Sequence, residues 1–191
     1  MKTIYSLITC ALIAGCSLQS IAQNYTNGVY VLNEDWYGHN NSTLNFWNPE
    51  AQTIDYLIMQ MANNYEYSLG CTAQYGQLYG DYIVIIAKQD RDPGEPTDVQ
   101  SGRITILNKN TLKPIGDEIY PLISINENDK SDADGRGVCF VNNEKFYVGT
   151  SNGIYVFKWD DKGKIFTWNS EAIIDGTGNN LITGDEISNA D

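Results

Sequence analysis

The chain has 191 residues, of which 42% are hydrophobic and 12% aromatic, and its 24 acidic against 12 basic side chains give a formal charge of −12 at pH 7. That length supports one domain with a buried core. Lys and Arg are scattered singly, which excludes the basic patch that nucleic-acid binding requires, and a single His with no Cys-x-x-Cys pair excludes a structural zinc site.

Residues 1–22 read as a secretory signal: Lys2 precedes an apolar run over 4–15 that is too short to cross a bilayer as a helix. Two processing routes are written there. Ser20-Ile21-Ala22 offers a signal peptidase its small residues, while Ile13-Ala14-Gly15-Cys16 resembles a lipobox that would place a lipid on Cys16. Cleavage before Gln23 is favoured, because Ile13 stands where a lipobox usually has Leu. The expected destination is the periplasm or cell surface, with membrane attachment only through Cys16.

Residues 23–191 contain a recurring unit of short apolar runs, rich in β-branched and aromatic residues, separated by Asn, Asp and Gly turns. The first copy, 28–60, has runs at 28–33, 43–48 and 53–60, and its innermost strand is missing. Between the first two runs lies a polar loop, 34–42, with the sole histidine, His39, beside Trp36, Tyr37 and Asn40. The stretch 58–67 is helix-like but interrupted by Asn63 and Asn64, and it reads as a loop holding at most a helical turn.

The second copy, 71–119, has runs at 71–78, 82–87, 103–108 and 112–119. Its insertion 88–102 is rich in Asp, Pro and Gly, so a solvated, mobile loop is expected. The third, 136–169, has runs at 137–141, 145–150, 154–159 and 164–168, joined by links short enough to allow only antiparallel neighbours. In its third run Ile154 and Val156 alternate with Tyr155 and Phe157, so neither face is polar. Small sheets stacked radially bury both faces, as in a propeller, whereas a two-sheet sandwich needs only one. The fold predicted is therefore all-β, a partial β-propeller of about three four-stranded antiparallel blades, with 170–191 as the start of a further one. An unfinished ring is expected to be a fragment, or to be completed by another chain.

Cys71 and Cys139 sit in apolar runs and read as small core residues, although an exported protein could also pair them. The pairs Glu34/Asp35 and Asp160/Asp161 resemble the two carboxylates of a glycosidase only superficially, since neighbours on a strand point to opposite faces, and they read as turn residues. The acidic run 128–135 fails as an EF-hand, because its glycine would put Lys130 first and Val141 twelfth. No metal site or cofactor is expected. Trp36, Tyr37, His39 and Asn40 suit a sugar or planar ligand, or Trp36 packs the rim of the sheet. Arg136, following Asp134 and Gly135 near the channel mouth, clamps an anion, or it pairs with Asp134 or bonds backbone carbonyls to fix the blade entrance.

The segment 33–46, with Asp134-Gly135-Arg136 and the run 149–155, resembles a family of exported Bacteroidales proteins, the YncE-like, surface-layer-type seven-bladed β-propellers. The resemblance covers roughly 28–183 and implies about four more blades. Its distant relatives include surface lipoproteins that capture corrinoids for an outer-membrane transporter, which implies ligand capture. The expected function is a non-catalytic binding or scaffolding role in the bacterial envelope, with a glycan or corrinoid-like small molecule as ligand. The alternatives are a propeller enzyme of quinoprotein dehydrogenase or lyase type, and an envelope protein-interaction platform.

Overall fold

In the computed structural model the described residues are 25–115 apart from 38 and 97, 134–168 apart from 152, and 174–175. The expected signal and Cys16, the calcium-like run 128–133, the run 116–119 and the tail beyond 175 lie outside them. Three antiparallel sheets follow one another along the chain. The first is β1 (Val29–Asn33), β2 (Thr43–Asn48) and β3 (Thr53–Asp55), followed by one helical turn, α1 (Ile58–Ala62). The second is β4 (Cys71–Tyr79), β5 (Tyr82–Gln89) and β6 (Ile104–Asn108). The third is β7 (Gly135–Asn142), β8 (Lys145–Thr150), β9 (Gly153–Asp160) and β10 (Ile165–Trp168), with β11 (Ile174–Asp175) pairing β9 beyond the end of β10.

Only the third sheet shows four full strands among the described residues. Among the described residues the first sheet has three strands, matching the three runs of its sequence. In the second, the expected fourth run is represented by an isolated bridge between Leu107 and Pro114 and by Ile115 N–H donating to the Ile106 carbonyl at 2.8 Å. The expected strand over 53–60 is cut short because Leu57 adopts the left-handed region at φ 55°. Its N–H donates to the Asn45 side-chain oxygen at 2.9 Å, and the chain turns so that Ile58 and Met59 are buried.

The middle sheet explains the stacking. Alternate residues of a strand face opposite sides, and β5 is apolar on both. Ile83, Ile85 and Ala87 join a core with Leu44 and Phe46 of β2 and Ile58 and Met59 of α1. Val84 and Ile86 join a second core with Val138, Phe146, Val148 and Phe157 of the third sheet. The β6 partners keep this register, Ile83 facing Leu107 and Val84 facing Ile106. Tyr79 of β4 stacks on Phe140 of β7 at 4.7 Å across the second interface, and on the third sheet's side of that core Phe146 stacks on its cross-strand neighbour Phe157 at 4.8 Å. Gly135 lets β7 start against β5, because a Cβ there would collide with the Ala87 carbonyl oxygen.

The outer sheets are covered on one side only in part of their width. Across the far face of the first, the register aligns Val29, Trp47 and Ile54, which with Val31 are 38–48% exposed. On the far face of the third, Val156 is buried but Cys139 is exposed, against the expectation that it belongs to the core. Cys139 falls opposite Tyr147 in the register, on the side away from Phe146. Cys71 is buried as expected, and the two sulfurs are not joined.

Each face of β5 carries part of the stability. Ile85→Ala and Ile86→Ala, neighbours on opposite sides, are each expected to cost about 2–5 kcal/mol in urea unfolding; a cost well below that range for either would mean that its face is not packed. Burial, and then the nearby Tyr25, push the Tyr30 phenol up to about 12 from 10.0, while its hydroxyl donates to the Tyr25 carbonyl at 2.9 Å. The fold therefore favours the protonated phenol, and that contribution, full below pH 10, is lost as pH rises through about 12. Unfolding midpoints across that window should fall less steeply for Tyr30→Phe than for the parent chain.

Candidate functional site

At the rim where β1, β5 and β8 end, the hairpin loop between β1 and β2, the insertion between β5 and β6, and α1 with the segment after it form a cleft of about 430 Å³ beside the first and second sheets. Its first wall is the loop after β1. The Trp36 carbonyl accepts from the N–H of His39 at 3.0 Å and of Asn40 at 3.2 Å, closing a turn. The Trp36 and Tyr37 side chains are thereby left 69% and 57% exposed. The Trp36 indole lies over the His39 imidazole with ring centroids 3.9 Å apart. Trp36 thus does not pack the rim.

Ser42, fully buried, fixes this wall to the second sheet. Its N–H donates to the Gly70 carbonyl at 2.8 Å, and its Oγ donates to the Glu34 carbonyl at 2.9 Å and accepts from Ala73 N–H at 2.7 Å. Gly70, at φ +74°, threads between the flanking strands; a Cβ there would sit 2.7 Å from the carbonyl oxygens of both Gln89 and Gly102.

The opposite wall is the insertion after β5, which is largely solvated as its composition predicts, with Pro93, Gly94, Pro96, Asp98 and Gln100 exposed, but is anchored by internal and long-range hydrogen bonds. Asp92 is fully buried, its N–H donating to Asn41 Oδ1 at 2.8 Å and its Oδ1 accepting from Gly94 N–H at 2.8 Å. Arg91 spans the loop by donating to the carbonyls of Pro96 and Val99 at 2.7 and 2.6 Å. Ser68 and Gln100 tie the insertion to the segment after α1 through backbone bonds. Local side-chain bonds of this kind hold a Pro- and Asp-rich loop in one shape.

A polar chain lines the cleft between these walls. Asn41 Nδ2 donates to Ser68 Oγ at 2.7 Å, and Ser68 Oγ donates to Glu95 Oε2 at 2.9 Å. Burial raises the Glu95 carboxyl above its ordinary 4.5, and the nearby Asp92 raises it too; the Ser68 bond and Arg91 oppose this in part. From the floor, Gln60 of α1 donates through Nε2 to the Ser42 carbonyl at 3.3 Å. Gln60 is only 8% exposed, and its buried Oε1 has no hydrogen-bond partner among the described residues. A buried acceptor left so costs roughly 1–3 kcal/mol. Tyr65 and Tyr67 add ring surface.

Of the residues singled out from the sequence, His39 and Asn40 line the cleft, Trp36 stands against His39, and Tyr37 projects into solvent. Asp134 and Arg136 sit on the same rim but not among the lining residues. Arg136 Nη2 is 3.2 Å from Asp134 Oδ2, which Lys88 approaches to 3.9 Å, and Asp134 and Ser151 exchange hydrogen bonds across the start of the third sheet. Of the readings of Arg136, the geometry shows the pairing with Asp134. Sequence reasoning missed Gln60, Tyr65, Tyr67, Ser68 and Glu95. The one signal that could have found Tyr65, Tyr67 and Ser68 is the dense amide and aromatic stretch 63–68, and it says nothing of Gln60 or Glu95.

The raised Glu95 carboxyl gives a pH dependence of defined sign. The fold favours its protonated form, so that contribution is complete below 4.5 and is lost as pH rises through the elevated folded value. Unfolding midpoints measured upward from pH 4.5 should therefore decline less for Glu95→Gln than for the parent chain.

No curated protein matches the chain. A family model does, over residues 27–188, which takes in all three sheets and the cleft, and the chain accordingly belongs to the family described as Domain of unknown function (DUF5074).

Proposed function

We infer that this protein is a non-catalytic binding or scaffolding module of the bacterial envelope, exported by residues 1–22 and built as part of a YncE-like, surface-layer-type β-propeller. The observation that carries the reading is the rim cleft. It combines a volume of about 430 Å³ with aromatic walls, convergent amides and a carboxyl held by its own hydrogen-bond chain, features that small-molecule sites share.

What supports the non-catalytic part is how the carboxylate pairs are engaged. Asp160 accepts from the N–H groups of Lys162 and Gly163 at 3.0 and 3.1 Å and so shapes a hairpin turn, and Asp161 accepts from the Trp159 indole at 3.0 Å. Glu34 accepts from Gln74 Nε2 at 3.4 Å. Such roles are local and structural, and two acids flanking a scissile bond have a different arrangement. Family membership by itself leaves the activity open.

The test is ligand-induced thermal shift of the full chain across glycans, corrinoids and calcium. At least one small-molecule class is expected to raise the unfolding midpoint, and His39→Ala, an exposed position whose loss leaves the core intact, is expected to diminish that rise. Turnover with an artificial electron acceptor, or stabilisation by calcium alone, would contradict the reading.

A further inference from the structure

We propose that the rim cleft takes a neutral, polyhydroxylated ligand of the saccharide class, seated between the tyrosine rings and the Asn41–Ser68–Glu95 hydrogen-bond chain. This deepens the binding reading above and rests on it. Three observations point to that chemistry.

The first is the balance of groups. Tyr65, Tyr67 and His39 present ring surface, and Asn40, Asn41 and Gln60 present amides that both donate and accept. Hydroxyl groups, each donor and acceptor at once on an apolar carbon frame, match such a lining. The second is charge. Among the described residues no Lys or Arg lines the cleft, and the whole chain is strongly acidic, so an anionic ligand approaches against a repulsive field. Glu95, the one carboxyl among the described lining residues, already accepts from Ser68 and lies near Arg91, so much of its capacity for a cation is engaged.

The third is Gln60 at the floor. It lines the cleft, more than nine-tenths buried and bonded through Nε2 to the Ser42 carbonyl, and its Oε1, itself buried, has no hydrogen-bond partner among the described residues. A ligand hydroxyl that displaces the floor enough to reach this atom would answer that acceptor. The volume, about 430 Å³, falls within the roughly 300–1,000 Å³ typical of small-molecule sites.

The experiment is calorimetric titration of the full chain with three disaccharide probes of matched size: cellobiose as the neutral saccharide, cellobiouronate as the anion and the β-1,4-linked disaccharide of glucosamine as the cation. Cellobiose is expected to bind about tenfold or more tightly than either charged probe, the difference one well-made hydrogen bond supplies. Tyr65→Ala, at an exposed position and therefore compatible with folding, is expected to weaken cellobiose by a similar factor. Tighter binding of either charged probe, cellobiose binding indifferent to Tyr65→Ala, or no cellobiose binding would overturn the proposal. A thermal shift with another ligand class, lost in His39→Ala, would in each of those cases leave the cleft standing as a binding site and remove only the saccharide assignment.

Discussion

The structure depends on a strand that cannot tolerate water on either side. In β5 five consecutive residues, Ile83 to Ala87, are buried, and because a strand alternates its side chains these divide between two faces. Fully burying each such side chain contributes about 1.5–3 kcal/mol, so exposing one face would forfeit several of them at once. A single partner sheet covers one face only. The chain resolves this by placing a sheet before and a sheet after the middle one, and the two cores, one around Phe46 and one around Phe146, are the result.

That arrangement also makes the site. Consecutive sheets meet along their faces, so their connecting loops are brought together at the rims, and at one rim the first hairpin loop and the long insertion of the second sheet face each other across α1. Buried polar anchors hold them: Ser42 joins the first loop to β4, and Asp92 with Asn41 joins it to the insertion. The cleft is thus a product of the same packing that buries β5, and its shape is fixed by groups too deeply placed to be flexible. The outward row Val29, Trp47 and Ile54 on the first sheet shows the same face chemistry where no described sheet covers it.

Much of the strand plan was legible in the sequence, because its apolar runs are short, β-branched and bounded by strong turn residues. β2 and β8 have the ends that their turns predict, and β9 differs by one residue at each end. What escaped was decided by contacts distant in sequence. The strand expected after Thr53 stops because Asn45, on β2, accepts from Leu57 N–H, and nothing within 53–60 announces that bond. The insertion looked mobile because Asp, Pro and Gly favour loops; it is anchored because one Asp is buried against Asn41, a partner 51 positions away. Cys139 looked like a core residue by composition, but the register alone decides its face. For the site, the sequence singled out His39 and Asn40 by their unusual loop and could not supply the residues that topology brings to them.

The account stands or falls on the two-sided burial of β5. Methyl-resolved nuclear Overhauser measurements on the folded full chain test it directly. Ile85 should show contacts to the Leu44 and Phe46 side of the first sheet, while its neighbours Val84 and Ile86 should show contacts to Phe146 and Val148 of the third, with no cross-over between the sets. Contacts from all three to one sheet, or a set with contacts only to solvent, would contradict it.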